Sequence, residues 1–281
     1  MYSNSCSNIL QTCQMLFLNE SNEILLPDYV NSTLKLFDLS GDIIKIIHVQ
    51  GLHYPRTICR NNNNKQIIVS NFDNIIILNE NFRLQRKILN DICDYMILDS
   101  VKSQDFLYCT NNASNKLKLF NMNSYEKIKE IEIDSPLHMA VNFNKIYVTS
   151  LTFFEYDEEN LKQFKRVKSG SNCIFVLNKK SLKVLKVFKF DNWLCPHGLF
   201  VDENKILITT AFKLNLKNKE VSNFRYFILV NRHGEIIHEI LLNDIQNFVD
   251  AILVEKKLIF CGCESKETKY RIYWFKEVKI E

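Results

Sequence analysis

Three of the six histidines lie beside prolines that open apolar runs: His53 near Pro55, His138 after Pro136 and His197 after Pro196. Three imidazoles brought to one point would hold zinc with a position left open for a substrate. Their offsets from proline are minus two, plus two and plus one. Alternate residues of a strand point opposite ways, so His138 and His197 face differently in equivalent positions, which disfavours a shared metal. A calcium site fares no better, since Asp94 and Asp250 only lie near the starts of runs and Asp202 falls in a turn. Nine cysteines, at 6, 13, 59, 93, 109, 173, 195, 261 and 263, are odd in number and include no C-x-x-C pair. That spacing argues against a disulfide framework and against a zinc finger. Most sit in apolar runs, where a thiol packs as a small hydrophobe. No glycine-rich phosphate loop and no nucleophile motif is present. The expectation is a chain with no catalytic residue, no metal and no cofactor.

The composition is that of a globular protein: 281 residues, 46% hydrophobic, 12% aromatic and 24% charged, with 36 basic against 32 acidic residues. The net charge of +4 is mild and does not by itself indicate nucleic acid, which calls for a concentrated basic stripe. No apolar run approaches the roughly 18 residues a membrane helix needs. The opening Met1-Tyr2-Ser3-Asn4-Ser5 lacks the basic region and apolar stretch of a secretory signal. With the cysteine usage, these features lead us to expect a cytoplasmic protein with no membrane contact.

What must position any site is a repeat of short strands. Helical periodicity is nearly absent, and clusters of β-branched, aliphatic and aromatic residues alternate with Asn, Asp, Ser, Gly or Lys turns. Equivalent runs begin at Ile24, Ile67, Phe106, Ile146, Ile206 and Leu258, spaced by 43, 39, 40, 60 and 52 residues. Before each comes an apolar segment, often opened by proline, as at Pro55, Pro136 and Pro196. After it comes a third strand, and in five of six copies an Asp or Asn then begins a tight turn. A fourth strand is expected to alternate outward charge with inward aliphatic side chains. Four strands repeated six times predict an all-β fold, a six-bladed β-propeller of four-stranded antiparallel blades, in one domain over residues 1–281. The last copy is short, and the stretch from Cys6 to Cys13 is placed to supply a missing strand.

The pattern of a proline-led apolar strand, a second strand and a third ending in Asp or Asn resembles the NHL repeat. Val201-Asp202-Glu203-Asn204-Lys205-Ile206-Leu207-Ile208-Thr209 is the best match. The Gly-His and Trp-Asp pairs of WD repeats and the double glycine of kelch repeats are absent. The resemblance implies a binding module, often the substrate-recognition part of a ubiquitin ligase. No RING-like Cys/His spacing is present, so a ligase would have to be a separate polypeptide.

In such blades the loop from strand two to three shares a face with the connection from strand four to the next blade. The two long spacings come from insertions at the strand two to three position, 151–171 and 211–225. Long loops in compact domains are more often functional than connectors. The first carries Phe153, Phe154, Tyr156 and Phe164 with Lys165 and Arg166; the second carries Phe212, Lys213, Phe224 and Arg225. Aromatic anchors ringed by charge suit a protein-binding patch. Glu158 and Lys162 are spaced for a single helical turn. His53, Arg56, His138 and His197 would lie at the mouth of a central channel.

The favoured reading is a non-enzymatic, monomeric propeller that binds a partner protein through these two insertions. A second is RNA, with Arg56, Arg60, Lys213, Lys217 and Arg225 for phosphates and Tyr54 and Phe212 for stacking, as some NHL-type propellers bind it. The acidic segment 155–159 opposes that second reading. A third is a metal-dependent lyase or lactonase, because Pro196-His197-Gly198 looks like a segment of propeller lyases.

Overall fold

The computed structural model describes residues 14–88, 92–101, 103–150, 153–156, 164–168, 171–190, 194–196, 198–201, 205–215, 220–242, 248–254, 257–266 and 270–279. Among them every regular element is a β-strand. β1 (Leu16–Leu18), β2 (Glu23–Asp28), β3 (Thr33–Phe37) and β4 (Ile43–Ile47) form the first sheet, in chain order. β5 (Ile58–Arg60), β6 (Ile67–Ser70), β7 (Ile75–Leu78) and β8 (Leu84–Ile88) form the second. The third holds β9 (Tyr95–Val101), β10 (Gln104–Asn111), β11 (Lys116–Asn121) and β12 (Glu126–Glu132).

In the fourth, β13 (Pro136–Asn142) and β14 (Lys145–Ser150) precede a separate ribbon of β15 (Phe153–Tyr156) and β16 (Phe164–Lys168). The sheet is completed by β17 (Cys173–Asn178) and β18 (Val184–Lys189). In the fifth, β19 (Leu194–Pro196) and β20 (Leu199–Val201) share the innermost place, both pairing with β21 (Lys205–Asn215). β22 (Glu220–Asn231) and β23 (Ile236–Leu242) finish it. β24 (Phe248–Val254), β25 (Lys257–Lys266) and β26 (Tyr270–Lys279) form a sheet of three.

The expectation of six four-stranded blades is therefore corrected. Among the described residues there are five blades of that kind, and the last sheet has three strands, ending on the ten-residue β26. The stretch from Cys6 to Cys13, expected to fill the gap, lies outside the described residues.

Side-chain capping fixes the turns between third and fourth strands. Asp38 Oδ1 accepts the Asp42 N–H at 2.9 Å. Asn79 Oδ1 accepts from Asn81 and Arg83, and Asn121 Oδ1 from Asn123 and Ser124. Asn178 Oδ1 accepts from Lys180 and Ser181, and Asn231 Oδ1 from His233 and Glu235. One short polar side chain thus satisfies amides that the ladder leaves open, which is why Asp or Asn recurs there.

Packing divides the chain into two compact units. One is built on Ser7–Cys109, Leu119–Ile128 and Gln246–Glu281, the other on Thr110–Lys118 and Lys129–Ile245. In the first, successive residues of a strand serve opposite cores. Leu25 and Leu34 pack with Ile58, Val69 and Ile76, whereas Ile24, Leu26 and Phe37 pack with Ile259 and Cys261 of β25. Likewise Ile68, Ile75 and Ile77 face Met96, Leu107 and Phe120. In the second unit, Ile174, Val176 and Phe188 meet Leu199, Ile206, Ile208 and Ile228. Cys59, Cys93, Cys109, Cys173 and Cys261 are buried, as the apolar runs led us to expect of thiols. Burial drives the Cys173 thiol up to about 12.

The fourth strands differ from expectation. β4 and β8 are exposed at their first four positions and buried only at the last, so Ile43, Ile44 and Ile46 face solvent alike. Each is the outermost strand of its sheet, with a hydrogen-bonded neighbour on one side only, so alternation along the strand no longer separates core from solvent.

With six glycines in the chain, many left-handed positions fall on other residues, among them Phe143 at φ 42° and 69% exposed. Phe143→Gly is expected to raise stability by about 1 kcal/mol by relieving that backbone. Gly234→Ala should cost about 2 kcal/mol or more, because at φ 94° an added Cβ lies 2.3 Å from the Phe188 ring. Urea midpoints measure both, and the same sign for the two variants would contradict this reading.

Candidate interaction surface

At the strand two to three turn of the first blade, Asp28 closes β2 with its side chain wholly buried. Its carboxylate takes the N–H groups of Val30 and Asn31 at 3.1 and 3.2 Å, Asn31 Nδ2 at 2.8 Å and the Lys35 ammonium at 2.6 Å. Burial opposes ionisation, but the bonds from Asn31 and Lys35 outweigh it and hold the acid below its ordinary range. The turn so fixed presents Tyr29, half-buried, and Val30, exposed.

The matching turn of the second blade is organised by buried Asn71. Its Oδ1 accepts the His53 N–H, and its Nδ2 donates to the Gly51 carbonyl at 3.1 Å. The Phe72 N–H donates to the His53 carbonyl at 2.9 Å. This lashes the connection from β4 to β5 against the β6–β7 turn. Tyr54 is held in that connection at φ 50°, a costly conformation for a bulky residue, with its N–H on Ser32 Oγ at 3.2 Å.

Three rings meet there. Tyr54 lies 5.1 Å from Tyr29 and 5.9 Å from Phe72, centroid to centroid. Tyr54 and Phe72 are 46% and 53% exposed, so the cluster is open to solvent. The Arg56 guanidinium stands 5.7 Å from the Tyr29 ring centre and pairs with Asp94 at 2.9 Å. An open aromatic group beside a charge oriented by its own carboxylate can bury area and fix direction at once.

The other expected site residues fall as follows. Arg60 pairs with Glu20. Arg56 and Arg60 thus both carry carboxylates, which weakens them as phosphate contacts. Arg86 of β8, not one of those expected residues, lies 4.3 Å from the Tyr125 ring centre. His53 is exposed in the first unit; His138 belongs to the second, is 4% exposed on β13 and has its N–H on Thr149 Oγ1 at 3.0 Å. His197 and Asp202 lie outside the described residues. Asp250 is buried, and its Oδ2 accepts the Met15 N–H at 2.8 Å. Among the described residues no group of three metal-ligating side chains converges.

Most described residues of the two insertions lie in strands, where loops were expected. β15 and β16 pair with Phe154 opposite Arg166, Glu155 opposite Lys165 and Tyr156 opposite Phe164. The second insertion lengthens β21 and β22, with Phe212 opposite Arg225, and Lys213 also opposite Leu194 of β19. Phe224 lies on β22. The turn of 158–162 expected to be helical lies outside the described residues. The sequence reading missed Tyr29 and Phe72. Their signal was an aromatic residue inside an Asp/Asn-rich turn, Asp28-Tyr29-Val30-Asn31 and Asn71-Phe72-Asp73-Asn74, where polar side chains are the rule.

No protein-family model and no curated protein matches the sequence. Solved structures do. Hydrazine synthase of Kuenenia stuttgartiensis aligns with TM-score 0.64 and 8% identity over 92% of this chain and 76% of that one. The Neurospora crassa Pan2 WD40 domain aligns with TM-score 0.59 and 9% identity over 89% and 71%. BBS1N, from its complex with ARL6DN, aligns with TM-score 0.56 and 6% identity over 85% and 70%. The likeness shows the fold, an all-β propeller of four-stranded antiparallel blades. It runs across a synthase and a protein solved in complex with another.

Asp28 contributes its stability in full above the ordinary 3.8 and loses it as the pH falls through the lower folded value. Asp28→Asn is expected to flatten this acid limb. It should also cost about 3–5 kcal/mol near neutrality by stripping Lys35 of its buried counter-charge. Chemical denaturation between pH 2 and 7 measures both; an unchanged acid limb would contradict the assignment.

Proposed function

We propose that the chain is a non-enzymatic, cytoplasmic propeller with NHL-like repeats, in one domain, that recognises a partner protein through its strand two to three connections. The observation that carries the reading is the open cluster of Tyr29, Tyr54 and Phe72 beside Arg56. A tyrosine kept both exposed and in left-handed backbone is a cost without return to folding, and such costs gather at binding sites. In the second unit, β15 with β16 and the lengthened β21 with β22 occur at the same class of connection and carry aromatic and charged positions of their own. That placement matches the design of interaction surfaces, where aromatic anchors give area and charged neighbours set direction. The complex of BBS1N with ARL6DN, a propeller-like relative in fold only, is consistent with such use.

Tyr54→Ala with Phe72→Ala is expected to leave the melting temperature within a few degrees, since both rings are half exposed. Loss of two anchors of about 2 kcal/mol each should remove any specific partner recovered by the unaltered protein, read by quantitative comparison of the two recoveries. Identical recoveries would contradict the proposal. Recovery of RNA that falls steeply with salt would favour the RNA reading instead.

A further inference from the structure

The second unit contains a pocket of about 440 Å³ between the fourth and fifth blades, within the roughly 300–1,000 Å³ of small-molecule sites. Four cations line it, Lys145, Lys186, Lys205 and Arg232, and no carboxylate is among its described lining residues. They come from four separate elements. Lys145 begins β14, Lys186 lies in β18, Lys205 begins β21, and Arg232 follows β22 in its capped turn. That turn's own carboxylate, Glu235, takes Asn231 Nδ2 at 2.7 Å and does not line the pocket.

The gathering is built by register. Tyr147 is opposite Val176, and Val176 opposite Lys186, so the three form one row across the blade. Lys205 is opposite Asn231, the residue before Arg232. Lys186 Nζ reaches the His233 carbonyl at 3.2 Å and lies 4.6 Å from the Phe188 ring centre, fixing one cation at the wall. The floor is apolar, formed by Val176 and Ile206 at the edge of the buried core. Tyr147 is half-buried beside them, and desolvation raises its phenol. The pocket lies at the ends of β14 and β21 opposite to those that carry the insertions.

Four cations around one cavity give it a positive potential that favours an anionic ligand. The cavity is too large for one phosphate, and its apolar floor and tyrosine would be idle against a bare polyanion. We propose that this pocket binds a nucleoside polyphosphate, with the phosphates among Lys145, Lys205 and Arg232 and the base against Tyr147. This site is independent of the protein-binding surface proposed above.

The test is calorimetric titration of the full chain with ATP and, separately, with tripolyphosphate. ATP is expected to bind, more weakly as salt rises. Lys145→Ala and Arg232→Ala should each weaken it about tenfold, as loss of one charge-assisted hydrogen bond does. Both residues are exposed, so unchanged melting temperatures would show that the variants fold. Tyr147→Leu should weaken ATP several-fold and leave tripolyphosphate unchanged; should it fail to fold, Tyr147→Phe with a comparison of ATP against tripolyphosphate on the unaltered protein carries the same point. No ATP binding at about 1 mM, or binding indifferent to both cation variants, would overturn the proposal. Tripolyphosphate binding as tightly as ATP would overturn the nucleoside part and leave a polyanion site only.

Discussion

The middle strands of the first unit are buried on both sides, and much of the structure depends on that requirement. A strand covered by neighbouring sheets on both faces cannot use alternation to reach solvent. Leu25 and Ile24, adjacent in sequence, serve two different cores. β6 and β7 are buried at every position. Burying such side chains is worth about 1.5–3 kcal/mol each, and polar side chains on the middle strands, such as Ser70 and Lys35, are tied to the Cys93 carbonyl and to Asp28. Exposed aromatic and charged side chains therefore gather at the connections and at the rims of the sheets.

The connections solve the turn problem with side chains more than with glycine. Asp38, Asn79, Asn121, Asn178 and Asn231 cap equivalent turns. Asp28 and Asn71 do related work at the other ends of their strands. Left-handed backbone falls on Ser32, Tyr54, Phe82 and Phe143 among others. Tyr54 differs from Phe143 in having aromatic neighbours on either side of it. The strain at one holds a ring within an open cluster, whereas at the other it holds a ring in solvent.

The repeat was legible because it rests on local chemistry: short apolar runs recurring along the chain, five of six third strands closed by Asp or Asn. The insertion points were legible for the same reason, since they stretch the spacing of those runs. Their conformation was not. Charge signs along 153–168 suggested an acidic then a basic loop, but the register sets Glu155 opposite Lys165, a pairing that appears only when the segment folds back on itself. The incomplete last sheet was seen as short but its third strand was not seen as long. The aromatic cluster joins residues from three connections, and the cationic pocket joins four elements, so neither leaves a contiguous trace in the sequence. Edge strands misled in another way: the fourth strand was expected to turn its aliphatic side chains inward, and its place at the rim of a sheet explains why Ile43, Ile44 and Ile46 are exposed.

The most direct measurement of where this protein makes contact is photo-cross-linking from single sites in a lysate of its native cells. A benzophenone side chain placed at residue 54 is compared with one at residue 44, on the exposed outer strand. Capture of a discrete protein from position 54 and none from position 44 is the outcome expected of a surface confined to the connections. Equal labelling from both, or labelling from the outer strand alone, would contradict it.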